Sequence, residues 1–222
     1  EALNAASAGG ASLRIVSAGA TSLGAVGVAT PLSAVDIDAG GTLTLAGSIF
    51  VDNGAAGSID LSGSADVDLA GGGTIVLDTE DGDDGDAGSV VLATAGTVDA
   101  STTEGLRIDT GVSGVGAEAA GAVTLGAVGS GTPPSDLTVV TASASGTDGL
   151  TTAHGDITVG GSGVDIAGAL RFTPGLLTID TSAAGAAVTL GTVDGDTPGD
   201  GKDLTITAGG GSITVGVVGT DE

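Results

Sequence analysis

Val123 to Val140 reads VTLGAVGSGTPPSDLTVV. A short alternating run ends in Leu-Gly, an Ala-Val pair follows, a small polar turn carries Thr-Pro, and a second alternating run closes the unit. The unit recurs as VTLGTVDGDTPGDGKDLTI from Val188 to Ile206 and as SLGAVGVATPLSAVDI from Ser22 to Ile37. A degenerate copy, ITVGVVGTDE, opens at Ile213. Apolar residues alternating with polar ones over three to five positions, bounded by Gly, Asp and Ser, mark half-buried strands. No longer segment shows a helical period. A looser set of strand–Gly turn–strand runs accompanies the unit: LRIVSAGATSL from Leu13, LRIDTG from Leu106, LTIDTSAAGAAVTL from Leu177 and LTITAGGGSITV from Leu204. Spacing is irregular: the Leu-Gly pair of the unit falls at Leu23, Leu125 and Leu190, and the first interval is much longer than the second.

The composition narrows the architecture. The chain has 44 Gly and 2 Phe, and no Cys, Met, Trp or Tyr. A globular core normally fills irregular space with aromatics and Met. Here Val, Ile, Leu and Ala must do so, which calls for a narrow, regular interior. With 41% hydrophobic residues the chain is too apolar for a disordered one. Short strands, quasi-repeats and small corner residues fit a parallel β-solenoid, with strong strands every ~14–20 residues taken as coils of about 20. Antiparallel β-sandwich repeats are the alternative.

Four Lys+Arg stand against 28 Asp+Glu, a net charge of −24. That argues against nucleic acid as a partner, because phosphates must be neutralised by basic residues. It disfavours anionic membranes and favours cations. No apolar run approaches the length of a membrane span, so no membrane insertion is expected. Without Cys there is neither a disulfide nor a thiolate metal site. Glu1 opens the sequence without Met, which reads as a processed chain or an excerpt.

The runs TLGAVG…TP…DLTV, from Thr124, and ITVGGSGVDIAG, from Ile157, resemble the strand repeats of very large bacterial surface proteins with filamentous-haemagglutinin-type or autotransporter-like right-handed β-helices. The resemblance covers most of the chain. It implies a right-handed parallel β-helix with irregular coils, secretion to the cell surface, a rod-like shape, and a structural or adhesive role without catalytic residues. The Asp-rich insert at 78–88 departs from simple members.

Two acidic stretches are the candidate metal sites. DTEDGDDGD places Asp78, Glu80, Asp81, Asp83, Asp84 and Asp86 within nine positions. Such carboxylates repel one another unless a cation sits among them, and Ca²⁺ accepts six to eight oxygens in flexible geometry. The spacing is not that of an EF-hand. A solvated acidic loop is the other reading. Asp194, Asp196, Asp200 and Asp203 form the second stretch, with Lys202 among them. Asp36, Asp38, Asp60, Asp66 and Asp68 alternate with aliphatics and must face outward. If coils stack in register these form carboxylate columns about 4.8 Å apart; if not, the columns are staggered. His154 beside Gly155 reads as a surface residue, and Phe50 and Phe172 as core plugs or end caps.

With Arg14, Arg107, Arg171 and Lys202 scattered and no Tyr or Trp, the acid–base pairs and stacking surfaces of β-helical polysaccharide enzymes are missing, and no enzyme is expected. The expected function is a structural subunit or segment of an extracellular fibre, sheath or giant adhesin, 1–222 forming one repetitive segment. Its partner is expected to be itself, end to end, because GVVGTDE breaks off inside the recurring turn and EALNAASAGG looks like its continuation. A glycan- or host-binding adhesin module is the alternative.

Overall fold

The protein, described from a computed structural model over residues 2–52, 57–82, 85–92, 96–114, 117–144, 146–195 and 201–219, is a right-handed parallel β-helix. No described segment is helical, so no helix is long and apolar enough to cross a membrane. Each coil visits three faces in the same order. The first coil has β1 (Ser12–Ser17), β2 (Thr21–Leu23) and a bridge at Val26. The next three follow as β3 (Ala34–Ala39), β4 (Thr42–Leu45), β5 (Ile49–Phe50); β6 (Ile59–Asp60), β7 (Asp66–Leu69), β8 (Thr74–Asp78); and β9 (Val90–Val91), β10 (Thr97–Ala100), β11 (Gly105–Asp109). Then come β12 (Val123–Leu125), β13 (Ala127–Val128), β14 (Asp136–Val140), and β15 (Leu150–Ala153), β16 (Ile157–Thr158), β17 (Gly163–Phe172). The chain ends on β18 (Leu176–Asp180), β19 (Ala187–Gly195), β20 (Asp203–Thr207) and β21 (Ile213–Val215). The second face is an 8-stranded sheet. The first and third are joined into one 13-stranded sheet because β17 and β19 run through the corner between them.

Inward residues stack coil on coil. On the third face, Leu3, Val26, Ile49, Leu77, Ile108, Val139, Ile166, Leu190 and Val215 are successive parallel partners. From Val26 to Leu190 each is at most 2% exposed. At about 1.5–3 kcal/mol per buried aliphatic side chain, such columns drive the fold. The steps from Leu77 to Ile108 and from Ile108 to Val139 are equal along the chain, but the step from Ile166 to Leu190 is shorter. All three exceed the coil length expected from the spacing of strong strands. A coil spans three faces, so the spacing between neighbouring strands is not the coil length, and the two-residue rungs β5 and β13 are too short to show a period of their own.

The recurring unit is a corner, not a coil. Its copy at Ser22 runs from the second face to the third and then the first. The copy at Val123 begins on the first face, and the copy at Val188 on the third. The intervals between copies are accordingly not whole numbers of coils. The chemistry of the corner is the same wherever it falls. Val26, Val128 and Val193 point into the core, and their N–H groups donate to Ser48, Asp156 and Val217 carbonyls of the following coil. Gly27 and Gly129 come next, at φ +73° and +71°, where an added Cβ would lie 2.2 and 2.1 Å from carbonyl oxygens of that coil. In the third copy Asp194 takes this place, and β19 continues to Gly195 instead of turning.

Inserted loops leave the stack between the third and first faces. Buried Thr79, Thr110 and Thr141 mark where they depart, their hydroxyls donating to Gly88, Gly121 and Ala167 carbonyls at 2.8 Å. Two inward positions depart from the sequence pattern. In LTTA of β15 the Thr, not the Leu, faces inward: Thr151 is fully buried, and its hydroxyl has no hydrogen-bond partner. The register with Val123 and Leu125 dictates this orientation. Phe172 is a core plug beside small Ala153 and Gly195. Phe50, following inward Ile49, instead lies half-buried on the outer side, opposite Asp78.

Period two places Leu125 inward and Thr124 outward, as β12 shows. Leu125→Asp is expected to cost roughly 4 kcal/mol or more in urea unfolding, by burying an unpaired charge. Thr124→Asp should cost under about 1 kcal/mol. Equal costs would contradict the register.

Candidate functional site

The acids of the first stretch do not converge. Asp78 ends β8 and accepts the Glu80 N–H at 3.0 Å. Glu80 turns inward, only 3% exposed, and forms an isolated antiparallel bridge with Asp52. Asp81 is exposed, and its N–H donates to the Val51 carbonyl. Asp86 is tied to the next inserted loop, accepting the Ala119 N–H at 2.7 Å. Asp83 and Asp84 lie outside the described residues. In the second stretch Asp194 is the register partner of Arg171, and Asp203 opens β20 opposite Leu176. Asp196 and Asp200 lie outside the described residues. Among the described residues no three acids or imidazoles are grouped so as to hold a metal ion.

The strand acids face outward, and some do stack. Asp36 pairs with Asp60 on the first face, Asp68 with Asp99 on the second, and Asp78 with Asp109 on the third. They form pairs rather than columns, since the coil beyond each presents a different residue. Two of the few cations sit on these pairs. Arg14 Nε lies 3.0 Å from Asp36 Oδ2, and the Arg107 guanidinium binds Asp109. Among the described residues the second-face pair has no cation in its ion-pair contacts. Asp99 accepts the Thr97 hydroxyl at 3.0 Å and the Gly131 N–H at 2.9 Å, and the same hydroxyl lies 3.0 Å from Asp66 Oδ1. There, partial burial and the neighbouring Asp99 and Asp66 charges push the Asp68 carboxyl above its ordinary value.

Glu104 behaves oppositely. It is 2% exposed at the corner before β11. Burial would raise its carboxyl, but N–H groups of Thr102, Glu104 itself and Gly72, with the Thr102 hydroxyl, outweigh burial and hold it below the usual 4.5. Gly72 belongs to the preceding coil, so this carboxylate staples two coils. Its contribution is present above 4.5 and is lost as pH falls through the lowered native value. Glu104 is one of five glutamates in a chain whose acids are mostly Asp, and nothing in its local sequence marks it as buried. His154 is exposed, with Nδ1 3.1 Å from the Thr173 hydroxyl. Lys202 Nζ donates to the Thr173 and Phe172 carbonyls at 2.9 and 3.3 Å.

Two hollows remain. One, of about 310 Å³, lies on the third face between Asp136, Thr138, Ser162, Asp165 and Thr189. The other, of about 420 Å³, opens in the last coil between Phe172, Val193, Leu204, Val215 and Val218, with Asp194 and Lys202 at its rim. No family model, no curated protein and no solved structure matches the chain. The β-helical architecture therefore rests on the fold itself, and the surface-protein family expected from the motifs gains no support from relatives.

The uncompensated second-face acids generate a prediction. Asp68 binds its proton more readily folded than unfolded, so its charge destabilises the native state above its raised value and ceases to do so below 3.8. Asp68→Asn should raise Tm at pH 7 in low salt, by roughly 0.2–1 kcal/mol of stability. The gain should vanish near pH 3 and shrink at 1 M NaCl, where the Debye length is ~3 Å. A loss of Tm at pH 7 would refute this.

Proposed function

We propose that this chain is a structural, non-catalytic element of an extracellular fibre, sheath or large adhesin, a rod whose terminal coils are covered by further coils, end to end. The observation that carries the reading is the stack itself: every described ladder strand pairs in parallel, so each coil is covered by its neighbours and the stack has one polarity. Leu13 and Ile15 at one end and Leu204, Ile206 and Val215 at the other are only partly buried, though each belongs to an inward column. Val217 and Val218 are 57% and 66% exposed. One more coil on either side would bury these side chains. A copy of the same chain stacked head to tail does so, a heterologous contact that propagates as a filament.

Ca²⁺ remains the ion proposed for the acidic stretches, although the described acids of the first stretch do not converge on one point. An extracellular medium supplies the ion, and Asp81 on its exposed turn is the described acid best placed to gain from one. The test combines shape and stability. Small-angle scattering and electron microscopy should show rods, with association rising with concentration, while excess Ca²⁺ should raise Tm relative to EDTA. The Ca²⁺ shift should be lost in Asp81→Asn/Asp83→Asn/Asp84→Asn. A compact monomer at all concentrations would overturn the fibre reading. An unchanged Ca²⁺ response in the triple variant would overturn the metal site.

A further inference from the structure

The hollow on the third face lies toward the C-terminal side of the stack, where β21 covers the far side of β19. Its floor is β17 and its walls are β14 and β19. We propose that it is a binding groove for a neutral, hydroxyl-rich ligand, a glycan segment of one or two sugar units.

The groove exists because one outer column carries almost no side chains. Gly105, Asp136, Gly163 and Ala187 occupy the same outward position on successive coils. A Cβ on Gly163 would lie 2.3 Å from the Ala187 carbonyl, and one on Gly105 would lie 2.3 Å from the Asp136 carboxylate. Backbone excludes a side chain at Gly163, where φ is +125°, and the neighbouring column of Thr138, Asp165 and Thr189 stands beside the gap.

The polar groups beside this gap are uncommitted. Several acids elsewhere are engaged by neighbours: Asp60 accepts from Ser62, Asp86 from Ala119 of the next inserted loop, Asp109 from Gly111 and Arg107, and Asp180 from Ser182. In the groove, among the described residues, the side chains of Thr138, Ser162, Asp165 and Thr189 make no hydrogen bond, and Asp136 accepts only from the Ser135 hydroxyl at 2.7 Å.

The ligand class follows from these groups. Two carboxylates repel an anion. Asp136 and Asp165 sit diagonally on neighbouring strands, and among the described residues no third acid or imidazole joins them to hold a metal ion. A sugar ring offers hydroxyl donors, each for its own carboxylate, and acceptors for the Thr and Ser hydroxyls. Its C–H face would rest on the Gly163 backbone and the Ala187 methyl. About 310 Å³ is at the lower end of small-ligand sites.

The test uses the whole chain and a panel of neutral hexasaccharides built from glucose, mannose, galactose or N-acetylglucosamine, read by saturation-transfer NMR and calorimetry. At least one should bind. Asp165→Ala should weaken that binding tenfold or more. Ala187→Leu, a change at an exposed position, should abolish it by filling the groove, with Tm unchanged in both variants. Asp38→Ala, an exposed acid on the first face, should bind as the wild type does. Failure of every hexasaccharide to bind at millimolar concentration would overturn the proposal, as would binding that survives Ala187→Leu. So would groove amide shifts that respond to CaCl₂ but to no sugar. None of these outcomes depends on whether the chain forms filaments.

Discussion

Parallel, in-register stacking of one coil on the next is the interaction on which everything else depends. No coil of this chain can bury its own aliphatics. Val139 is dry because Ile108 and Ile166 lie on either side of it. The same ladder that satisfies the backbone brings identical side-chain positions to about 4.8 Å, whatever those side chains are. That suits Val and Leu inside. Outside, it forces Asp against Asp.

The charge distribution follows from this constraint. A strongly acidic chain with only 4 Lys+Arg uses two of them where register makes acids meet, Arg14 on Asp36 and Arg107 on Asp109. A third, Lys202, caps carbonyls at the end of β17. The second-face pair is left to neutral donors on Asp99, the Thr97 hydroxyl and the Gly131 N–H, and the raised Asp68 carboxyl records the consequence. Tight packing at the corners serves the same stacking. At Gly88, Gly121 and Gly149 an added Cβ would lie 1.2–1.9 Å from a carbonyl of the preceding coil. The inserted loops can therefore leave the stack without opening it.

Alternation within a single run was legible in the sequence, and it placed Leu125 inward and the strand acids outward. What depended on neighbours was not. Thr151 faces the core although LTTA would rather bury its Leu, because Val123 and Leu125 impose the register. Asp36 meets Asp60 over a shorter stretch of chain than Asp68 needs to meet Asp99, so no single period could have paired them. The acidic stretch at 78–86 reads as one cluster along the chain. In space Glu80 turns inward against Asp52, while Asp86 accepts the Ala119 N–H of the next inserted loop. The groove was invisible for a related reason, since it is made by glycines and hydroxyls from three coils.

The most direct test of in-register stacking is a cysteine pair in this cysteine-free chain. Thr124 and Thr152 are outward register partners on β12 and β15. Their expected Cα separation of about 4.8 Å falls within disulfide range. Thr124→Cys/Thr152→Cys should therefore oxidise to an intramolecular disulfide without lowering Tm, while Thr124→Cys/His154→Cys, two positions out of register, should stay reduced. Closure of the second pair in preference to the first would contradict the stacking described here.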